Sequence, residues 1–357
     1  MSESCCSENK KTSYTKLLPN YTSNDSCCCQ GAAGNIPVVS TSLSFKDILG
    51  SWMVRCGIKR MDYRVEPGLY TVGKPDSDSP VLVSANYKLT FDTLRKNLDD
   101  LNCWLIILDT KGVNVWCAAG KKTFGTDELV KRIKAVRLSE IVTHRKLILP
   151  QLGASGVSAH DVARHTGFSV TFGPVRANDI KTFIAAGCKA TREMRTVKFT
   201  LWDRLVLTPV DLIAMTKKSL FVFGVMFLIN LFAAQPFGLY DFVAYIGAIV
   251  VGTVLTPALL PFIPGKAFSW KGWILGLCWA AFTLWLFRCF IPGSCFLAAG
   301  YLLLLPAVSA YLAMNFTGSS TYTSPSGVLK EMKIALPLIV SAFIIGSVLI
   351  LINKLIW

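Results

Sequence analysis

The sequence predicts an α/β domain built on a parallel sheet, followed by an all-α transmembrane domain of five helices. Three observations carry this reading. The first is a split in charge. The chain has 357 residues, 37 Lys/Arg and 22 Asp/Glu. Beyond residue 216 only Lys217, Lys218, Lys266, Lys271, Arg288, Lys330, Lys333, Lys354, Asp241 and Glu331 are charged. The second is an alternation of apolar strand signals with amphipathic helices in the first half. The third is a set of uncharged runs of membrane-spanning length in the second half.

Composition narrows the class. Hydrophobic residues make up 52% of the chain and charged residues 17%, against about 25% charged in an average soluble protein. Mean hydropathy is +0.46. A disordered chain, a collagen-like chain and an ordinary soluble enzyme are excluded. A length of 357 residues fits two units of roughly 100–200 residues each. The expected boundaries are a Cys-rich disordered tail at 1–45, an α/β domain at 46–195, a linker at the membrane surface at 196–216, and a transmembrane domain at 217–357.

Residues 1–45 hold few large apolar side chains, which predicts disorder. Residues 1–36 are polar and do not read as a cleavable signal peptide. Cys5, Cys6, Cys27, Cys28 and Cys29 lie here. Adjacent cysteines are poor disulfide partners, but as thiolates they suit a soft metal ion; an incidental thiol-rich tail is the alternative.

The α/β elements follow in order. Val81–Val83 is a short apolar strand. Thr90–Asp100 is a helix with Phe91, Leu94 and Leu98 on one face. Trp104–Leu108 is a wholly apolar strand. Asp127–Ala135 is a helix, and Lys146–Leu149 a third strand. Ser158 is the expected N-cap of the helix Ala159–His165. Ser169–Phe172 is a fourth strand. Asn178 is the expected cap of the helix Asp179–Ala186, which stops at Gly187. Continuous apolar strands between such helices predict a parallel, Rossmann-like sheet covered on both faces. Its ligands bind beyond the carboxyl ends of the strands. The alternation in Arg195–Leu207 suggests a strand or hairpin at the membrane surface.

A membrane helix needs about 20 apolar residues. Twenty-two residues separate Lys218 from Asp241, and 24 separate Asp241 from Lys266. Gly272–Phe287 (which Phe268–Trp270 can lengthen by one turn), Cys289–Asn315 and Ile334–Asn353 are the other three runs. The basic residues at 217–218, 266–271 and 330–333 share one side if five helices cross. The positive-inside rule makes that side cytoplasmic. The protein is then a multi-pass inner (cytoplasmic) membrane protein with its soluble domain in the cytoplasm. No span centre carries Lys, Asp or Glu, so anchoring to the lipid bilayer is favoured over transport. Arg288 reads as an interfacial anchor and Cys278 as a packing residue.

The loop after the second strand reads Asp109-Thr-Lys-Gly-Val-Asn114-Val115-Trp116-Cys117-Ala118-Ala119-Gly120-Lys121. A cysteine among small residues at the sheet's ligand rim is a natural nucleophile or metal ligand. A buried Cys in an apolar turn is the alternative. His144, His160 and His165 lie on other elements and read as surface residues. No phosphate-binding or dinucleotide fingerprint is present. Lys and Arg are dispersed, which argues against nucleic acid.

Asn114–Lys121 resembles the cap-helix motif of the mercury-methylation corrinoid protein family. That family joins a cobamide-binding domain to a membrane domain of five helices. Its soluble domain is similar to the corrinoid-binding part of the large subunit of the corrinoid iron–sulfur protein. The resemblance covers about residues 65–205 by motif and the rest by layout. It implies a cobamide cofactor (a cobalamin-type corrinoid) with Cys117 as the lower axial ligand of cobalt. It also implies Asn114, Val115, Trp116, Ala118, Ala119, Gly120 and Lys121 as cofactor contacts. Thr90, Gly153, Ser155 and Gly173 in the neighbouring rim loops are further candidates, where backbone donors suit a phosphate. Glycines that merely make turns are the alternative there. The Asp-x-His-x-x-Gly pattern of His-ligated cobalamin proteins is missing, since Asp161 and His165 are four apart.

The implied activity is corrinoid-dependent methyl transfer to Hg(II), giving methylmercury. Hg(II) is a soft electrophile and takes the methyl with its bonding electrons or as a radical. A thiolate on the far side of cobalt favours that direction. The two electrons then missing require a ferredoxin-like iron–sulfur partner, because the chain has no Cys-x-x-Cys-x-x-Cys motif. A methyl donor protein or methylated folate restores the methyl. Two other readings stand beside this one: a membrane-anchored corrinoid methyl carrier of one-carbon metabolism, and a non-enzymatic cobamide-binding protein.

Overall fold

The computed structural model describes residues 36–286, 295–320, 322 and 325–356. Arg288 and the cysteines at 5, 6 and 27–29 lie outside the described residues. From Pro37 onward the chain forms one compact unit.

The α/β part runs α1 (Phe45–Arg55), β1 (Gly68–Val72), β2 (Val81–Ala85), α2 (Lys88–Lys96), β3 (Cys103–Leu108), α3 (Val115–Gly120), α4 (Thr126–Ala135), α5 (Leu138–Ile141), β4 (Lys146–Leu149), α6 (Ala159–Thr166), β5 (Ser169–Phe172) and α7 (Ile180–Ala185). The sheet order is β1-β3-β2-β4-β5. β3 and β4 flank β2 in parallel, and β5 extends the sheet parallel to β4. β2 and β3 are buried along their whole length, which is why β3 is an unbroken apolar run and β2 is apolar except for Ser84. α2 and α7 pack on one face with Leu82, Leu105 and Ile148. α4 packs on β3 and against α6. The chain leaves β2 towards β3, then returns to its other side at β4. That reversal opens a crevice at the carboxyl ends of β2 and β4.

Three expectations change. The sheet is mixed, because β1 pairs antiparallel with β3, Leu69 opposite Ile106. Its outer edge is covered in turn: Val39 N donates to Thr71 O at 2.7 Å and Thr71 N to Pro37 O at 3.0 Å. Residues 37–45, expected in the tail, therefore belong to the folded unit. Asn178 is not a cap, because Ala177–Asp179 form a 3₁₀ turn and the helix begins at Ile180. Ser158 does cap α6, accepting from Asp161 N at 3.3 Å.

The segment expected as a strand or hairpin is also different. Its centre is the short helix α8 (Leu201–Leu205). Thr200 Oγ1 accepts from Asp203 N at 3.3 Å, and the Asp203 carboxylate accepts from Thr200 N at 2.9 Å. This reciprocal capping box outweighs the alternation that suggested a strand.

The helical region comprises α9 (Thr208–Asn230), α10 (Leu239–Val250), a wide π turn at Val251–Leu255 running into α11 (Thr256–Leu259), α12 (Phe268–Leu286), α13 (Cys295–Phe316) and α14 (Pro325–Ile356). Among the described residues four helices are long and apolar enough to cross a membrane: Leu201–Asn230, Leu239–Leu259, Cys295–Phe316 and Ser326–Ile356. α12 stands beside these, with Lys271 and four tryptophans reducing its apolarity. The first apolar helix begins before residue 217 and takes Asp211, Lys217 and Lys218 into its length. α13 is the hub, packed on α12 and α14. Small residues permit this approach; a Cβ at Gly276 would sit 2.7 Å from Pro306 Cα. Asp241 and Lys354, at the ends of α10 and α14, form a buried ion pair at 3.1 Å.

Candidate functional site at the switch point

The site is built from the end of β2. Asn86 is buried there. Its Oδ1 accepts from Thr110 N at 3.1 Å, Thr110 Oγ1 at 2.9 Å and Gly112 N at 3.0 Å. Its Nδ2 donates to Asp109 Oδ1 at 3.2 Å. One amide thus fixes the whole turn after β3. Burial acts to raise the Asp109 carboxyl, but hydrogen bonds from Lys111 outweigh it and hold the group below its ordinary range. Gly112 is required in the turn: its φ is +73°, and a Cβ would meet Met61 O at 2.9 Å.

The turn delivers Asn114 to the N-cap of α3. Asn114 Oδ1 accepts from Cys117 N at 2.9 Å. Asn and Cys three residues apart are therefore cap and N3 of one helical turn. Val115, Ala118 and Ala119 are buried. Ala118 O accepts from Thr123 N at 2.9 Å and Phe124 N at 3.1 Å, closing the helix into the following loop. A Cβ on Gly156 would stand 2.9 Å from Ala119 Cα, so the Ala-Ala pair serves close packing against that loop. Cys117 is half-buried and Trp116 exposed.

Asn114, Val115, Trp116 and Cys117 line a cavity of about 560 Å³. It lies at the switch point of the sheet. Its floor includes Leu82 and Ser84 of β2 and Ile148 and Leu149 of β4. Thr90 and Thr93 of α2 form one wall. Arg55, Arg60 and Tyr87 form another, and Phe199, Asp203 and Leu207 close it from the side of the helical region. Burial lowers the Arg55 guanidinium and raises the Tyr87 phenol from their ordinary values. Asp203 is engaged by Arg176 at 2.7 Å.

Of the candidate residues, Asn114, Val115, Trp116, Cys117 and Thr90 line this cavity. The other candidates do not line it. Ala118 and Ala119 are packing residues. Gly120 and Lys121 are exposed at the far end of α3. Gly153 is buried, and a Cβ there would meet Phe124 Cε1 at 2.5 Å. Ser155 is exposed. A Cβ on Gly173 would meet Ile148 Cγ2 at 3.2 Å. The neighbouring rim loops contribute Pro150, Leu152, Pro174 and Val175 to the cavity instead. The residues missed are Arg55, Arg60 and Tyr87. Tyr87 adjoins Asn86 at the end of β2. The two arginines arrive from a segment with no local signal of a site.

The histidines are elsewhere. His144 Nε2 lies 2.9 Å from Ser79 O, and His165 Nδ1 lies 2.7 Å from Asp161 O. Cys103 is buried in β3 and its thiol is pushed up to about 12, which makes it a core residue. Among the described residues no three His, Cys, Asp or Glu side chains are grouped to hold a metal ion.

In donor type the cavity lining suits a corrinoid. A thiol opens on a cavity with a largely apolar floor. Hydroxyls from Thr90, Thr93 and Tyr87 and cations from Arg55 and Arg60 line its walls. A single soft donor, rather than a cluster, is what a corrin-bound cobalt leaves for the protein to supply.

Residues 53–184 match the family described as CO dehydrogenase/acetyl-CoA synthase delta subunit. Curated relatives include the gamma subunit of the acetyl-CoA decarbonylase/synthase complex of Methanocaldococcus jannaschii, 35% identical over 129 residues, which is 35% of this chain and 26% of the relative. The corresponding subunit of Methanopyrus kandleri is 33% identical over 127 residues, 35% of this chain and 27% of the relative. That of Archaeoglobus fulgidus is 31% identical over 127 residues, with the same shares. The chain thus spans about a quarter of the length of these relatives. The likeness covers the α/β domain and its cavity and stops before the apolar helices, so this domain is similar to a region of the acetyl-CoA decarbonylase/synthase gamma subunits.

Proposed function

We propose that the protein is a membrane-anchored corrinoid methyltransferase that passes a methyl group from a Cys117-ligated cobamide to Hg(II). The carrying observation is the Asn114-capped turn that presents Cys117 at the mouth of the switch-point cavity. The match of residues 53–184 to the delta subunit family, with the likeness to the gamma subunits, supports a corrinoid as the cofactor. A bound cobamide supplies a cobalt centre that accepts a methyl group and releases it to an acceptor.

The chain's own residues set the direction of that release. Cys117 would hold the cobalt as a thiolate, since a coordinating thiol is deprotonated. Its soft, negatively charged sulfur would favour release of the methyl with its bonding pair, the form a soft electrophile such as Hg(II) takes. Asn114 fixes the Cys117 backbone and so the direction of the Sγ. Trp116 shields the mouth beside it. Thr90, Thr93, Tyr87, Arg55 and Arg60, which line the cavity, would hold polar substituents of the cofactor. Turnover in that direction would need two electrons for each methyl cation taken up. A ferredoxin-like iron–sulfur protein is the proposed donor of those electrons, and a methyl donor protein or methylated folate the source of the methyl.

We count α12 as a fifth membrane span: 19 residues at 1.5 Å each reach about 28 Å, close to the hydrocarbon thickness. The basic residues at 266–271 and 330–333 then face the cytoplasm with the α/β domain, while Lys217 and Lys218 lie within the length of α9. The anchor belongs to the inner membrane.

The test is methylmercury formation by cells expressing the chain with the iron–sulfur partner. Cys117→Ala abolishes it at matched protein level. Near-normal formation by that variant overturns the reading. A plain methyl carrier, passing a methyl cation to a nucleophile, is the second reading, favoured by the names of the relatives. Retention of methyl transfer to a thiol acceptor, with no product on Hg(II), decides for it.

A further inference from the structure

α1 carries an apolar stripe that no other described residue covers. Phe45, Ile48, Leu49, Trp52 and Met53 recur at i, i+3, i+4, i+7 and i+8, one face of a helix. All five are exposed; Phe45 is 76% and Trp52 58% accessible. Ile58 and Met61 extend the exposed apolar surface beyond the helix. A helix usually turns such a stripe inward. This one cannot roll, because its opposite side is pinned.

The pin is ionic. Asp47 points into the domain and receives Lys88 Nζ at 2.6 Å and Arg95 Nη2 at 2.9 Å. Asp92 engages the same Lys88 at 2.7 Å and Arg95 at 2.8 Å. Arg95 Nη1 also donates to Ser40 O at 2.6 Å and Ser42 O at 2.8 Å. Ser44 and Asp47 close a capping box at the start of the helix. Two acids and two bases thus hold α1 on α2 with its apolar face outward.

Two further features say what covers that face. The end of α1 abuts the start of the first apolar helix: a Cβ on Gly57 would lie 3.9 Å from Val210 Cγ1, and Arg60 lies within electrostatic reach of Asp211. Lys46, Arg55, Lys59 and Arg60 accompany the stripe, while its acid, Asp47, is consumed internally. A helix with Trp and Phe on one side, basic flanks, and a position beside a membrane-entry helix has the composition of an interfacial helix.

We propose that α1 lies in the surface of an anionic bilayer and docks the α/β domain onto the membrane. The proposal rests on the membrane reading of the apolar helices given above. Basic flanks select anionic headgroups. Arg55 and Arg60 belong both to this segment and to the wall of the Cys117 cavity. Docking therefore holds the cavity at the bilayer surface instead of letting the domain swing on its linker.

The experiment uses the full chain in nanodiscs containing phosphatidylglycerol and a phospholipid with a diazirine near its glycerol. After photolysis, labelled peptides are mapped by mass spectrometry. Residues 45–61 and the α9 segment 219–228 are both labelled. The exposed double substitution Ile48→Glu/Trp52→Glu removes label from 45–61 and leaves 219–228 unchanged. Neutral phosphatidylcholine discs reduce labelling of 45–61 only. Label on 219–228 with none on 45–61 above the level of α6 overturns the docking and leaves the spanning intact. Absence of label from both segments overturns both. Shielding of 45–61 by a second copy or a co-purified protein, detected by protein–protein cross-linking through this face, also overturns it.

Discussion

The α/β domain and the helical region solve burial in opposite ways. The domain buries charge in a balanced square, Asp47, Asp92, Lys88 and Arg95, and gives its central strand β3 a wholly apolar sequence. The helical region packs by removing side-chain bulk, as at Gly276, and keeps one buried ion pair at its end. The domain is therefore specified by pairing and the bundle by fit. Chemistry belongs to the first, where polar groups such as Asn86 and Asn114 aim the backbone. The second leaves large apolar surfaces exposed, as suits a lipid environment.

The largest expected effect separates the site from the fold. Cys117→Ala eliminates methylmercury formation and leaves thermal unfolding of the domain unchanged, because the side chain is half-buried at a cavity mouth. Cys117→His retains cobamide binding, read by the visible spectrum, yet loses most transfer to Hg(II), since imidazole donates less charge than thiolate. Equal activity of Cys117→His and the native chain would show that donor charge does not set the direction of transfer.

Breaking the ionic square tests the comparison directly. Asp47→Asn leaves Lys88 and Arg95 sharing one carboxylate in a buried site. The expected cost is about 3–5 kcal/mol to the α/β domain, with the helical region unaffected. Differential unfolding of the two parts in detergent measures it. The pH dependence has a fixed sign. Burial raises the Asp47 carboxyl, but hydrogen bonds from Lys88 and Ser44 and the Lys88 charge outweigh it and set its folded value well below the ordinary carboxylate range. Its ionised form contributes stability above the unfolded carboxyl value of about 4. That contribution is lost as pH falls from there towards the folded value. Acid titration of α1 release shows this loss in the native chain and not in Asp47→Asn.

The bundle's counterpart is steric. Gly276→Val places a Cβ 2.7 Å from the Pro306 backbone and forces α12 away from α13. Overpacking of this kind costs about 1–3 kcal/mol. The bundle's unfolding temperature in detergent falls while cobamide binding by the domain persists. Loss of cobamide binding would mean that the two regions share more than a boundary.

Legibility divides along the same line. Four parallel strands and the helices α2, α4 and α6 follow from periodicity, because burial on one or two faces leaves a repeating pattern. β1 and residues 37–39 do not: five residues beginning with Gly, paired at a sheet edge, carry too little pattern. The capping box at Thr200 reversed the reading of its segment, since two hydrogen bonds there outweigh alternation. At the candidate site, Cys117 stood out as a cysteine among small residues in a rim loop, and Asn114 through the motif it shares with a known family. Arg55 and Arg60 did not, because long-range packing of α1 brings them to the cavity. Gly153 and Gly173 read as ligand contacts, but each is small to admit an aromatic or aliphatic neighbour.

Within the cap-helix motif the same comparison can be made residue by residue. Asn114→Ala removes the side chain that accepts from Cys117 N. The loss of an N-cap costs about 1 kcal/mol. It loosens the direction of the thiol, so cobamide affinity falls while domain unfolding shifts little. Lys121→Ala is the smallest change. Lys121 follows the last residue of α3, is exposed, and lies outside the cavity lining. A surface substitution of this kind lies within about 0.5 kcal/mol, or roughly twofold in binding. Methylmercury formation by Lys121→Ala cells should therefore stay within about twofold of the native chain, with an unchanged cobamide spectrum. A loss as deep as that of Cys117→Ala would place the working surface of the motif at the far end of α3, on the solvent side, and would move the proposed acceptor site away from the cavity.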